Sequence, residues 1–148
     1  MTYRFTLAGE VPAKKNNRRT LPNGRSIPSK GYLAWHETAL VQLILQKRAR
    51  HIKQPLAGRL CIDITLTHGD LRRRDGDNGA TSVLDTLRDA GIIKDDCWEI
   101  CRTIRIENRY EKGRARCEIF ITQTNHKNDY RGKGGGNHGK SANALQPD

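Results

Sequence analysis

The chain has 148 residues and a formal net charge of +11, set by 27 Lys and Arg against 16 Asp and Glu. That length fits one domain with a modest core, and charge of this sign points to a polyanionic partner, nucleic acid ahead of an anionic membrane. No apolar run approaches the roughly 18 residues of a spanning helix, and the start MTYRFTLAGE lacks a signal-peptide pattern. Cys61, Cys97, Cys101 and Cys117 form no CxxC pair and stand in apolar or strand-like contexts. They read as reduced core or edge residues of a cytoplasmic protein. If residues 97–101 form a strand, the Cα atoms of Cys97 and Cys101 lie roughly 13 Å apart, too far to share one zinc.

In chain order, residues 3–8 alternate and predict a strand. Residues 9–31, polar and rich in Pro, Gly, Asn, Lys and Arg, read as one long loop, and a loop above about 15 residues in a small domain is functional or disordered. Its charge favours function. Residues 32–49 carry helical periodicity, with Leu33, His36, Leu40, Leu43 and Ile44 on one face and Lys47, Arg48 and Arg50 where cations suit the helix dipole. His36 reads as a core or rim residue there. Residues 59–68 alternate strictly: Leu60, Ile62, Ile64 and Leu66 face one way, and Cys61, Asp63, Thr65 and Thr67 the other. A second helix follows over 78–90, capped by Asp77 or Asn78, with Ala80, Val83, Leu84, Leu87 and Ala90 as its buried stripe and Gly91 at the left-handed exit. Residues 98–109 and 115–122 read as two strands paired in a hairpin through Glu111-Lys112-Gly113. From Gln123 the chain turns polar and Gly-rich and predicts a disordered tail. The domain is therefore expected over 1–122 and the tail over 123–148.

Between the alternating strand and the second helix stands Arg72-Arg73-Arg74-Asp75-Gly76-Asp77-Asn78, and Asp95-Asp96 follows that helix. Cations attract a polyanion and carboxylates repel it; a divalent metal reconciles them, with carboxylates holding the metal and arginines the backbone phosphates. If both junctions meet at one end of a sheet, Asp75, Asp77 and Asp96 converge. Carboxylates that close raise each other's pKa unless a metal neutralises them. An oxygen-donor set with no His or Cys partners suits Mg²⁺ or Mn²⁺, and such a site can hydrolyse a phosphodiester. Taken singly, each aspartate reads as a capping or loop residue paired to a local arginine. The joint pattern in a basic protein points to the metal.

RRRD-x-DN, then LDTLRDAGI on a helix, then KDD and a strand, resembles the RusA-type Holliday junction resolvases, and GEVPAKKNNRR is similar to that family's early strand and Pro-Asn-Arg loop. The resemblance covers roughly residues 3–122. It implies an α+β fold, a small mixed β-sheet with two main helices. It further implies a homodimeric endonuclease, phage- or prophage-encoded and acting in the bacterial cytoplasm, that binds four-way DNA junctions and cuts them with Mg²⁺ or Mn²⁺. The family's acidic triad falls on Asp75, Asp77 and Asp96, with Asp95 adjacent. Arg74 falls on a phosphate contact. Arg72, Arg73, Arg74, Lys14, Lys15, Arg18 and Arg19 are the expected backbone contacts, which give affinity without sequence information.

One departure stands out. The family's lysine three residues after the DN asparagine is Thr81 here. Asp77, Thr81 and Asp85 fall at i, i+4 and i+8 on one helix face, so a lysine there would sit beside the acidic cluster. Lys94, Arg88 or a basic residue of the 14–19 loop must substitute, or catalysis is impaired. That leaves two rival expectations: a junction-binding protein of the same fold with impaired turnover, and an RNA-binding, antitermination-like basic module.

Overall fold

The computed structural model describes residues 1–14 and 17–124. Its elements run β1 (Thr2–Ala8), β2 (Arg18–Thr20), β3 (Ser26–Pro28), α1 (Lys30–Ala49), β4 (Arg59–His68), α2 (Asn78–Asp89), β5 (Cys101–Tyr110) and β6 (Arg116–Thr124). The α+β expectation holds. A mixed four-stranded sheet is ordered β1-β6-β4-β5, and β2 and β3 make a separate two-stranded ribbon. That ribbon corrects the reading of residues 9–31 as one loop: Arg18 pairs with Pro28 and Thr20 with Ser26.

Strict alternation in β4 does what period-two patterning requires. Leu60, Ile62, Ile64 and Leu66 are buried, and so are Phe5 and Leu7 of β1 and Ile119 and Ile121 of β6. Ala39 and Leu43 of α1 and Ala80, Val83 and Leu87 of α2 close the same core. Each such aliphatic side chain contributes about 1.5–3 kcal/mol by leaving water. Helix α2 buries the expected stripe, with Leu84 half-buried, and Gly91 exits at φ +69°. Helix α1 starts earlier than its periodicity suggests, because Ser29 Oγ accepts a hydrogen bond from the Tyr32 amide. Its inner face is also rotated: Tyr32, Ala39 and Leu43 are buried, whereas Leu33 and Ile44 are exposed. Apolar residues lie nearly all round this helix, so period alone did not select the buried face.

The predicted hairpin does not form. β6 pairs antiparallel with both β1 and β4, while β5 pairs in parallel with β4 alone. Cys117, Ile119 and Ile121 are fully buried and take the centre, whereas Ile104 and Ile106 remain 39% exposed at the rim. The turn after Tyr110 carries the chain past the end of β4, with Gly113 at φ +68°. The two outer edges differ. Gln46 bonds both the amide and the carbonyl of Thr6, and Gln42 accepts from the Ala8 amide, closing the β1 edge. Among the described residues no side chain bonds the outer backbone of Thr103–Tyr110.

Strand β5 also starts later than expected. Residues 97–100 form a turn in which the Cys101 amide donates to the Cys97 carbonyl at 2.8 Å, so the strand spacing assumed for those two cysteines does not apply. All four cysteines are free. Burial pushes the Cys101 thiol up to about 11 and the Cys117 thiol up to about 12. Residues 125–148, most of the expected tail, lie outside the described residues.

Candidate active site at the start of the second helix

Parallel pairing has a direct consequence for the acidic residues. His68 at the end of β4 is in register with Tyr110, and Leu60 at its start with Cys101. The exit of β4 and the entry to β5 therefore lie at opposite ends of the sheet, and α2 connects them. Twelve residues of helix at 1.5 Å each span roughly 18 Å. Asp75 and Asp77 sit at one end and Asp96 at the other, which corrects the expectation that one copy gathers all three. Among the described residues no group of three His, Cys, Asp or Glu is placed to hold a single metal ion.

At the first end, a cleft of about 210 Å³ opens between residues 10–13, the end of β4 and the first turn of α2, lined by Glu10, Asn17, His68, Arg73, Asp75 and Asn78 among others. Gly79 permits this packing: a Cβ there would stand 3.0 Å from Leu66 Cδ1 and 3.8 Å from Val11 Cγ1. Asp77 occupies the N-cap position, yet its side chain makes no capping bond. Asn78 does not cap either; its amide donates to Asp75 Oδ2 at 2.9 Å. The expected cap is thus absent, and the Asp77 carboxylate is exposed with no hydrogen bond or ion pair among the described residues. The helix dipole still favours negative charge at that point.

The arginine run divides. Arg72 and Arg73 are exposed, but Arg74 turns inward, its Nε 2.9 Å from Glu10 Oε1 and its Nη2 2.8 Å from Asp70 Oδ1. The Arg72 amide and Arg74 together hold the Asp70 carboxyl below its ordinary range. Glu10 also meets His68 Nδ1, while His68 Nε2 lies 2.8 Å from Asn108 Oδ1, and Asn108 Nδ2 donates to the Gly76 carbonyl at 3.0 Å. Sequence reasoning missed Glu10, His68 and Asn108. No spacing links positions 10, 68 and 108; only strand register brings them together.

At the far end Arg88 gathers the acids. Its Nη1 lies 3.2 Å from Asp96 Oδ1, with Asp85 at 3.5 Å and Asp89 at 3.8 Å. Asp95 Oδ1 accepts from the Asp96 amide at 2.8 Å. Asp89 also bonds His36 Nε2 at 2.9 Å, which puts that histidine on the rim. Asp85 is buried and meets Lys14 Nζ at 3.0 Å. The Lys14 amide donates to Ser82 Oγ, and Ser82 Oγ donates to the Pro12 carbonyl, so the loop before β2 is docked on α2. Thr81 is exposed one turn from Asp85, and Lys94 is exposed. Arg18 is spent on Ser26, and Arg19 is exposed. Lys15 lies outside the described residues.

Residues 9–122 match the family model described as Endodeoxyribonuclease RusA. The crossover junction endodeoxyribonuclease RusA of Aquifex aeolicus is 28% identical over 113 residues, covering 76% of this chain and 85% of that protein. No helix among the described residues is long and apolar enough to cross a membrane.

Proposed function

The chain belongs to the RusA endodeoxyribonuclease family, and from that premise we propose that it is a metal-dependent endonuclease that resolves four-way DNA junctions in recombination and repair. The observation that carries this reading is Asp77, an exposed carboxylate next to cleft-lining Asn78 that makes no capping bond and no ion pair among the described residues. Asp75 stands two residues away, held only by a neutral amide. Oxygen donors of this kind fit Mg²⁺ or Mn²⁺. When bound, that ion supplies an activated water and offsets charge on the leaving oxygen.

In this reading Asp75 and Asp77 are metal ligands. Exposed Arg72, Arg73 and Arg19 contact phosphates, while Arg74 holds the loop that presents the arginines. Lys14, fixed on Asp85 one turn from Thr81, is a cation on the face where the family carries lysine.

The third ligand, Asp96, comes from a second copy. Among the described residues the outer edge of β5 has no strand partner, and it carries Ile104 and Ile106 partly exposed. Two such edges paired antiparallel across a two-fold axis set the start of one β5, which follows Asp96, against the end of the other. That end carries Asn108, the residue bonded to Gly76 between Asp75 and Asp77. A homodimer then has two composite centres, matched to a near-two-fold junction.

Incubation with a synthetic four-way junction and Mg²⁺ or Mn²⁺ tests the reading. Paired symmetric nicks are expected. Junction binding without nicking in either metal favours the impaired binder that Thr81 suggests, and preference for RNA overturns both.

A further inference from the structure

We propose that Glu10, His68 and Asn108 form a positioning chain that fixes the Asp75–Gly76–Asp77 backbone for metal binding, an inference that rests on the nuclease reading above. The chain runs from the segment after β1, through the last residue of β4, to the edge strand β5, and ends on the carbonyl between the two aspartates.

Hydrogen-bond complementarity sets the roles. The Gly76 carbonyl accepts, so it fixes Asn108 Nδ2 as donor and turns Oδ1 toward His68. Glu10 Oε1 receives Arg74 Nε at 2.9 Å, and Oε2 lies 3.4 Å from the Gly69 amide. Both oxygens of Glu10 therefore act as acceptors. His68 thus stands between two acceptors, and the chain is complete only when both ring nitrogens carry protons. The charged groups around it are Glu10 and Arg74, with Arg73 and Asp75 lining the same cleft.

The chain restrains the centre of a segment held elsewhere by Arg74 on Glu10 and Asp70 and by the Gly113 amide on the Gly69 carbonyl. Residues 69–77 belong to no helix or strand, and Asp77 contributes no cap that would tie the segment to α2. Asn108 is the side chain from the sheet that holds its centre. Outer partners of this kind change metal affinity about 10–100-fold when removed, without touching the metal. None of the three touches DNA or the metal in this scheme; they act through Gly76.

Two variants cut the chain at different links. His68→Gln cannot span both acceptors. Asn108→Asp keeps the acceptor for His68 but loses the donor to Gly76. In metal-free protein, both are expected to raise hydrogen exchange across residues 72–80 while the core strands stay protected. Mn²⁺ affinity by calorimetry should fall about tenfold, with metal-free junction binding within about twofold of the parent. Exchange over 72–80 that is indifferent to both variants overturns the proposal. Exchange that responds as expected in a protein that neither binds Mn²⁺ nor cuts junctions keeps the positioning chain and removes the nuclease reading instead.

Discussion

The two ends of α2 use the same residue type for opposite purposes. At the C-terminal end Asp85, Asp89 and Asp96 surround Arg88, and Lys14 closes on Asp85. Those carboxylates are neutralised within the fold. At the N-terminal end Asp75 meets only the amide of Asn78, and Asp77 meets nothing among the described residues. A carboxylate already matched by arginine contributes to stability. One left unmatched and exposed beside a cleft is free for a ligand. Asp96 belongs to the first group by its bonds, and the composite centre proposed above asks it to serve a second copy.

The largest expected effect separates the ends by activity. Asp77→Asn should lower cleavage by more than ~100-fold, since a ligand matters at least as much as its outer partners. Junction binding should persist or tighten, because one charge leaves the phosphate path. Normal cutting by this variant, measured on a labelled junction, would end the metal-site reading.

Mixing then tests whether the ends cooperate between copies. Asp77→Asn and Asp96→Asn subunits, each inactive alone, should recover about a quarter of parental nicking after exchange, because every heterodimer keeps one intact composite centre. No recovery, with heterodimers present by native mass spectrometry, places all ligands in one copy.

Stability should run the other way. Asp85→Ala leaves Lys14 and Arg88 facing a vacated, buried site and should cost about 1–3 kcal/mol in urea unfolding. Asp77→Ala should stay within about 0.5 kcal/mol, because no capping bond is lost. Equal losses at the two positions would erase the distinction drawn here.

A smaller gain is expected from Thr81→Lys. A cation on the face between Asp77 and Asp85 should raise single-turnover cleavage several-fold, roughly 1 kcal/mol of added stabilisation. No change would show that Lys14 already fills the role.

The smallest effect is chemical. Burial raises the Cys101 and Cys117 thiols to about 11 and about 12, so at pH 8 only a minute fraction is thiolate. Alkylation there should begin at half-exposed Cys61 and Cys97, and mass spectrometry of the labelled peptides reads the order. Early labelling of Cys101 would mean that the Asp95–Asp96 end opens in solution.

Much of this was legible before the fold. Alternation in residues 59–68 located β4, the stripe from Ala80 to Ala90 located α2, and the spacing RRRD-x-DN marked the loop proposed above as the metal site. Those are local signals: side-chain period and residue type at short range report an element and its inner face. Where apolar residues lie nearly all round a helix, as in α1, the same signal became ambiguous. The hairpin between the last two strands failed for a related reason. A good turn brings two strands back toward each other, but it does not forbid a third from lying between them.

Sequence by itself located the four strands of the main sheet, the second helix, the charge and the aspartates. Tertiary structure alone decided that β5 runs parallel to β4. That single pairing sends Asp96 to the far end of α2, joins Glu10, His68 and Asn108 around the aspartate loop, and leaves β5 at the sheet edge with no further strand partner among the described residues. Pairing partners are chosen by burial summed over the whole core, a quantity no short stretch of residues contains.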